Sequence, residues 1–188
     1  MEEAQKYESG ENEIKKYLIP GPQTQITQEI KEIASDINGT VLEKAQKILD
    51  IGPSFVKSQE YDKEVFRKRT ASQIIQDGYI TGCTDAALLF ITLARATGIP
   101  AKYIETIDKE WLRNGGDSVE GHIFSQIYDE SRGWVWVDPM QRKVDSPPEN
   151  RVVFKEGLDS WDIGINDFDS LKTNFDEFRK QWLLENSK

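Results

Sequence analysis

The sequence of 188 residues contains a single cysteine, a single histidine and no excess of positive charge. One cysteine excludes an internal disulfide and excludes the zinc sites that are built from two Cys-x-x-Cys pairs. The 24 lysines and arginines are outnumbered by 33 aspartates and glutamates, which gives a net charge of −9. Because affinity for nucleic acid depends on basic groups that release counterions from phosphates, we expect no nucleic-acid partner.

Long hydrophobic runs are missing as well. Nowhere do about 18 apolar residues follow one another, so we expect no membrane span. The start, MEEAQKYESGENEIKKYLIP, has acidic residues where a secretory signal peptide needs a basic and then an apolar segment. We therefore expect a soluble chain. An exported protein trimmed of its leader has the same appearance, and exported proteins also can lack disulfides, so the compartment stays open.

The composition, 37% hydrophobic and 30% charged, fits one compact domain. Residues 1–22 are polar and end in the segment IPGP, whose two prolines break a helix. We expect these residues to be a loosely attached lead segment. Residues 23–188 then form a single domain.

Apolar residues three or four positions apart predict two amphipathic helices, one in 24–37 and one in 40–52. Thr40 and Glu43 have the spacing of a capping box, and a loop is expected around Gly52-Pro53. A short helix should follow, from near Thr70 to Gly78.

The second half of the chain changes from helical to strand periodicity. The segment from about 83 to 97 is apolar nearly all round, which predicts a helix buried at the centre of the domain. Four short, mostly antiparallel strands are predicted after it, in AKYIETI, GHIFSQIY, GWVWVDP and RVVFKE. An amphipathic helix capped by Asp167 or Asp169 closes the chain. Helices, then strands, then a helix predict an α+β fold.

Cys83 lies where a loop becomes the buried helix. A thiol at a helix start experiences the helix dipole and unpaired backbone N–H groups, which favour the thiolate. His122 lies in the second predicted strand and Asp138 ends the third. The two positions are symmetric about Glu130, so a hairpin centred there would place them directly opposite each other on one face. A slip of one residue would separate them, and a bulge at Gly133 would change the count.

Together these side chains have the chemistry of a nucleophile, a base and an orienting acid. Cys83 would attack, His122 would take its proton, and Asp138 would fix the tautomer of the imidazole and stabilise its charged form. The backbone N–H of Cys83 can supply one donor to an oxyanion. For the second donor the spacing leaves several candidates open, namely Gln73, Gln76 and Tyr79.

Each of these residues also has a structural interpretation. A lone cysteine or histidine is more often part of the core, and Asp138 alone could merely end a strand. Trp134 and Trp136 share the face of Asp138 by parity, so one of them could border a substrate groove, although aromatic residues in strands usually belong to the core. Asp85 is assigned to the helix dipole, because a negative charge beside the thiol would oppose its ionisation.

The pattern resembles the transglutaminase-like superfamily of cysteine enzymes. In that family a GC and a nearby acidic residue open a buried helix that reads like ALLFITLARATGIPAKYIET, and a GH strand and a GWVWVDP strand follow. The resemblance covers roughly residues 70 to 140. It implies that Cys83 is the nucleophile, His122 the base and Asp138 the orienting acid. It also implies a central helix that carries the thiol against an antiparallel sheet, distantly papain-like.

The resemblance also bears on cofactors and on the substrate pocket. Ile123 and Phe124 stand where many members have a small residue and a tryptophan after the histidine, which affects the shape of the acyl pocket. The calcium dependence and extra β domains of the animal enzymes find no support in a chain this short. The zinc site of the glycan-releasing relatives needs more than one cysteine. We expect neither a cofactor nor a metal.

The leading hypothesis is a thiol enzyme that attacks an amide bond of a protein or peptide through an acyl-enzyme on Cys83. Hydrolysis is favoured over transfer to an amine, because so small a chain has no obvious device for excluding water. Three alternatives stay open: a protein-glutamine transglutaminase, a non-catalytic domain of the same fold that holds a peptide, and a structural protein with an incidental cysteine.

Overall fold

A computed structural model of the chain describes residues 11–116 and 118–186, so residues 1–10 of the predicted lead segment lie outside the described part. The helices within these ranges are α1 (Gln28–Ser35), α2 (Val41–Phe55), α3 (Ala71–Asp77), α4 (Cys83–Ala96), α5 (Lys109–Asn114) and α6 (Phe168–Glu185), with a 3-10 turn over Lys16–Leu18. The strands are β1 (Lys57–Ser58), β2 (Tyr79–Ile80), β3 (Ala101–Asp108), β4 (Gly121–Asp129), β5 (Gly133–Asp138), β6 (Lys143–Val144) and β7 (Arg151–Gly157). The predicted α+β class is confirmed.

The main sheet has five antiparallel strands in the order β6-β5-β4-β3-β7. The four predicted strands correspond to β3, β4, β5 and β7. The sequence did not predict β6, β1 and β2, because two residues are too few to show a periodicity. β1 and β2 pair in parallel, which ties the end of α2 to the loop before α4.

α4 is the centre of the fold, as its apolar sequence predicted. It packs against β3 and β4 on one side and against α1, α2 and α3 on the other. Every residue from Thr84 to Arg95 is buried, because both sides of the helix are covered. β3, β4 and β5 contribute odd-numbered side chains to this core, among them Ile107, Ile123 and Val135.

The end of the lead segment is held by the last turn of α4. Arg95 is 3% exposed, and its Nε donates to the carbonyl of Tyr17 at 3.0 Å and to that of Ala101 at 3.2 Å. The Tyr17 ring is itself buried and packs edge-on against Trp134. The expectation of loose attachment is therefore wrong for this part of the segment, because its backbone carbonyl helps to satisfy a buried guanidinium.

The predicted loop at Gly52-Pro53 is also corrected, since α2 continues through both residues to Phe55. Pro53 has no N–H, so it cannot donate to the carbonyl of Leu49. The Nε of Arg142 donates to that carbonyl instead, at 3.0 Å. A tertiary hydrogen bond thus replaces the helical one that proline removes, and no signal in the local sequence indicates this.

The capping predictions are confirmed. Thr40 and Glu43 form the capping box of α2, and Gly78 ends α3 in the left-handed conformation with φ of 75°. Of the two candidate caps of the last helix, Asp167 is the one observed, and its side chain accepts from the backbone N–H of Ser170.

Candidate active site

Cys83 is the first residue of α4 and is half-buried, in contrast to the buried turns that follow it. The preceding residue, Gly82, contributes no capping side chain. The positive end of the helix dipole and the N–H groups of the first turn are therefore available to a negative charge at this point. This is the environment that the sequence predicted for the thiol.

The loop that leads to Cys83 is held by Asp85. Its Oδ2 accepts hydrogen bonds from the N–H of Thr81 at 2.9 Å and from the Thr81 hydroxyl at 3.0 Å. The Nη2 of Arg69 donates to the same oxygen at 2.6 Å, and Asp85 is 2% exposed. Asp85 therefore does more than complement the helix dipole: it fixes the backbone two residues before the thiol.

His122 and Asp138 are in direct contact. The Nε2 of His122 lies 2.9 Å from Oδ2 of Asp138, and the two side chains are 19% and 1% exposed. The second oxygen of the carboxylate, Oδ1, accepts from the backbone N–H of Gln141 at 3.0 Å. Because Nε2 is occupied by the carboxylate, Nδ1 is the ring nitrogen left for the thiol.

The hairpin does not place these two residues directly opposite each other, so that prediction is wrong. Asp129 pairs with Gly133, which centres the turn on Ser131 instead of Glu130. The Asp129 carboxylate accepts from the N–H of Ser131, and Gly133 has φ of 75°, so the turn takes two residues more than a symmetric one about Glu130.

The shift of the register is two residues, and two residues preserve the face of the sheet. In the observed pairing Ser125 faces Val137, so Asp138 is level with Phe124 and diagonal to His122. Diagonal neighbours on one face are still within reach of long side chains. The imidazole and the carboxylate are therefore in contact although the predicted register of the hairpin was wrong by two residues.

The charges of the site favour a protonated imidazole. Burial lowers the pKa of His122, but Asp138 and also Cys83 raise it to about 9. Burial raises the pKa of Asp138, but the hydrogen bonds from His122 and from the N–H of Gln141 hold it below its usual value. The imidazole is thus the group on which both of the other side chains act.

Thr106 and Phe124 contact His122, and Gly121 before it is packed closely by α6. The hydroxyl of Thr106 donates to the His122 carbonyl at 2.7 Å, and the Phe124 ring meets the imidazole edge-on with centroids 4.9 Å apart. Gly121 leaves room for Phe175 of α6, because a Cβ at Gly121 would lie 3.0 Å from that ring. From the sequence, Phe124 was predicted only to depart from the family pattern. It is two residues after His122 on the same strand, which places the two side chains side by side on one face.

The candidates for substrate contact and for the second oxyanion donor lie in different environments. Trp136 is half-buried and its ring meets Phe124 edge-on at 6.0 Å, so an aromatic row leads from the imidazole along the face of Asp138. Tyr79 lies in β2 with the guanidinium of Arg69 4.4 Å above its ring. Gln76 is exposed on α3, and Gln73 is part of the cap of that helix. A second oxyanion donor remains a prediction.

A buried ion pair next to the site was missed by the sequence analysis. Arg67, which is 2% exposed, donates to both oxygens of Glu105 at 2.8 and 3.0 Å. Burial lowers the pKa of Arg67, but Glu105 above all, and also Cys83, raise it above the ordinary value. One signal was available: Glu105 occupies a core-facing position between Tyr103 and Ile107, where a carboxylate needs a partner.

Two kinds of feature are absent from the residues that the structure describes. In 11–116 and 118–186, no three His, Cys, Asp or Glu side chains lie close enough together to hold a metal ion. Over the same residues, none of the helices combines the length and the apolar character that crossing a bilayer requires.

Comparison of the sequence with known proteins identifies relatives. The family model described as the transglutaminase-like superfamily matches residues 31–139, which include Cys83, His122 and Asp138. An uncharacterized protein of Haemophilus influenzae is 26% identical over 191 residues, which cover 84% of this chain and 52% of that protein.

Comparison of the structure finds the same fold in solved proteins. A candidate cysteine protease from Cytophaga hutchinsonii has a TM-score of 0.62 at 21% identity, over 81% of this chain and 50% of the other. LapG of Legionella pneumophila has a TM-score of 0.50 at 14% identity, over 82% of this chain and 96% of LapG. The chain spans about half the length of the Haemophilus and Cytophaga proteins.

Proposed function

Because the chain belongs to the transglutaminase-like superfamily, we propose that it is a cysteine hydrolase that cleaves an amide bond of a protein or peptide through an acyl-enzyme on Cys83. The observation that carries the proposal is the 2.9 Å contact between His122 Nε2 and Asp138 Oδ2, with the second ring nitrogen left for a thiol at a helix start. The description of the Cytophaga protein as a candidate cysteine protease supports the same reaction class.

The first half of the reaction forms a thioester. Nδ1 of His122 takes the proton of the Cys83 thiol, and the sulfur attacks the carbonyl carbon of the substrate amide. The N–H of Cys83 donates to the oxygen that becomes negative, at the positive end of α4. When the tetrahedral intermediate collapses, the C–N bond breaks and the leaving amine takes the proton from His122.

The second half returns the enzyme to its starting state. Water attacks the thioester carbonyl while Nδ1 of His122 takes one of its protons. The C–S bond breaks, the carboxylic acid leaves, and the proton returns to the sulfur. Asp138 accepts the Nε2–H throughout, so the imidazole keeps the tautomer that leaves Nδ1 free and its charged form is stabilised in both halves.

Labelling of Cys83 with iodoacetamide tests whether the thiol and the imidazole act together. The chain has one cysteine, so the rate reports this thiol alone. We expect the wild type to react at lower pH than His122→Ala, because the imidazolium stabilises the thiolate. Two identical profiles of rate against pH would show that His122 is not the base for Cys83, and would favour a non-catalytic, peptide-binding domain.

Mass spectrometry of a peptide digest separates hydrolysis from amine transfer. The digest is incubated with the wild type and with Cys83→Ala, each with and without methylamine. Hydrolysis predicts new peptide termini with the wild type only, whether or not methylamine is present. Methylamine adducts on glutamine side chains would show that the enzyme is a transglutaminase instead.

A further inference from the structure

A cavity of about 430 Å³ lies between α2, β2, α4 and the loop that follows Asp138. Its walls are mostly apolar and include Gly52, Ile80, Ala86, Phe90, Pro139 and Met140. The mechanism proposed above uses none of these side chains.

Two walls of the cavity are close in the chain to residues of the candidate active site. The α4 residues in its wall are spaced three or four apart, beginning with Ala86. Cys83 is three residues before Ala86 and therefore lies one turn further along the same stripe, about 4.5 Å along the helix axis. Pro139 and Met140, in the opposite wall, follow Asp138 directly in the chain.

Size and polarity determine what the cavity can hold. Its volume equals that of about fourteen water molecules in the liquid, and it falls in the range of ligand pockets in proteins. Water is poorly stabilised between apolar walls, so an apolar group gains by displacing it. The two charged residues that line the cavity, Lys57 and Arg142, are both cationic, in a chain with a net charge of −9.

We propose that this cavity is a specificity subsite, which binds a large apolar side chain of the substrate polypeptide close to the bond that Cys83 attacks. The inference rests on the proposed function and names the substrate class. A polypeptide is favoured over a free fatty acid because the cavity begins one helical turn from the thiol. An acidic residue beside the apolar one would complement Lys57, whereas Arg142 is already paired with Asp50.

A series of peptides with a central vinyl sulfone tests the subsite. The Cys83 thiolate adds to the alkene carbon and a proton from water ends on the neighbouring carbon, so labelling requires no hydrolysis. One probe contains only glycine, and the others carry one leucine at a single position on either side of the sulfone. We expect leucine at one position to raise the second-order rate constant about tenfold or more.

The variant Gly52→Leu fills the cavity. A Cβ at Gly52 meets nothing within 4 Å, so the new side chain enters open space. Ser54→Leu is the matched control, because it adds the same side chain at an exposed position of the same helix, outside the cavity. We expect Gly52→Leu to reduce the preference for leucine to less than about twofold, and Ser54→Leu to keep it. Iodoacetamide should label all three proteins at the same rate.

Other results would contradict either the subsite or the hydrolase proposal. A leucine preference that Gly52→Leu leaves unchanged would place the subsite elsewhere. No leucine preference, with protection of Cys83 by laurate, would make the cavity a fatty-acid site and overturn the proposal. A preference that behaves as expected, without hydrolysis of any peptide, would keep the subsite and refute the hydrolase. Should Gly52→Leu fail to fold, Met140→Glu puts a negative charge into another wall of the same cavity, from an exposed position, and should abolish the preference.

Discussion

Replacing Asp138 by asparagine should lower the pKa of His122 and move its proton. In the wild type the two oxygens of Asp138 accept from different donors, Nε2 of His122 and the N–H of Gln141. An amide has only one oxygen. If that oxygen stays on Gln141, the amide NH2 faces Nε2 and donates to it, so the proton of a neutral imidazole must sit on Nδ1.

The size of the effect follows from the strength of the lost bond. A hydrogen bond to a charged group contributes about 1.5–3 kcal/mol, against about 1 kcal/mol for a neutral one. The difference of about 1–2 kcal/mol corresponds to a fall of about one pKa unit or more, from the wild-type value of about 9. Because Asp138 is 1% exposed, solvent cannot replace the missing charge.

Nitrogen-15 NMR of the imidazole measures both effects at once. The chain has one histidine, so the spectrum of a histidine-labelled sample needs no assignment. The titration gives the pKa, and the chemical shifts of Nδ1 and Nε2 report which nitrogen is protonated above it. We expect Nε2–H in the wild type and Nδ1–H in Asp138→Asn.

The control is Asp145→Asn, which removes an exposed carboxylate paired with Arg132 and should leave the titration of His122 unchanged. The reasoning would be refuted if wild-type His122 titrated near 6.5, or if Asp138→Asn titrated at the wild-type pH with the wild-type tautomer. Either result would mean that the carboxylate does not stabilise the imidazolium.

Three further predictions concern stability, each measured by urea unfolding. The pKa of His122 is higher in the folded chain than in the unfolded chain, so protonated His122 should stabilise the fold by about 3 kcal/mol. This stabilisation should be complete below pH 6.5 and be lost as the pH rises through about 9. His122→Gln should not show the loss. Glu105→Ala should cost about 3–5 kcal/mol, because it leaves the buried charge of Arg67 without its partner. Asp85→Ala should cost about 3 kcal/mol and change the iodoacetamide labelling of Cys83, because the loop before the thiol loses its anchor.

Matched variants separate these causes from general damage. The double variant Arg67→Met, Glu105→Leu should recover most of the stability that Glu105→Ala loses, because no charge is left buried. Asp77→Ala removes the more exposed partner of Arg69 and should cost less than about 1 kcal/mol. Equal losses for the two aspartate variants would contradict the role given to Asp85.

Local features of the sequence were sufficient wherever the cause of a structure is itself local. The capping box of α2, the glycine that ends α3 and the four long strands were predicted, because each depends on residues a few positions apart. Strand parity also sufficed to put His122 and Asp138 on one face of the sheet. Side chains alternate between the two faces, so a register shift of two residues leaves each side chain on the same face.

Features that depend on distant parts of the chain were missed or wrong. α2 continues past Pro53, and Arg142, 93 residues along the chain from Leu49, donates to the Leu49 carbonyl that Pro53 leaves without a helical donor. Arg67 and Glu105 meet across the core, and the cavity beside Cys83 is enclosed by four separate segments.

The sequence by itself therefore determined the order of the elements, the face on which the imidazole and carboxylate lie, and the placement of the only thiol at a helix start. Tertiary structure decided the register of the hairpin, the partners of the buried charges and the space left open beside the thiol. The physical reason is range: hydrogen-bonded turns and side-chain alternation act over a few residues, whereas desolvation and packing depend on every segment that the fold brings together.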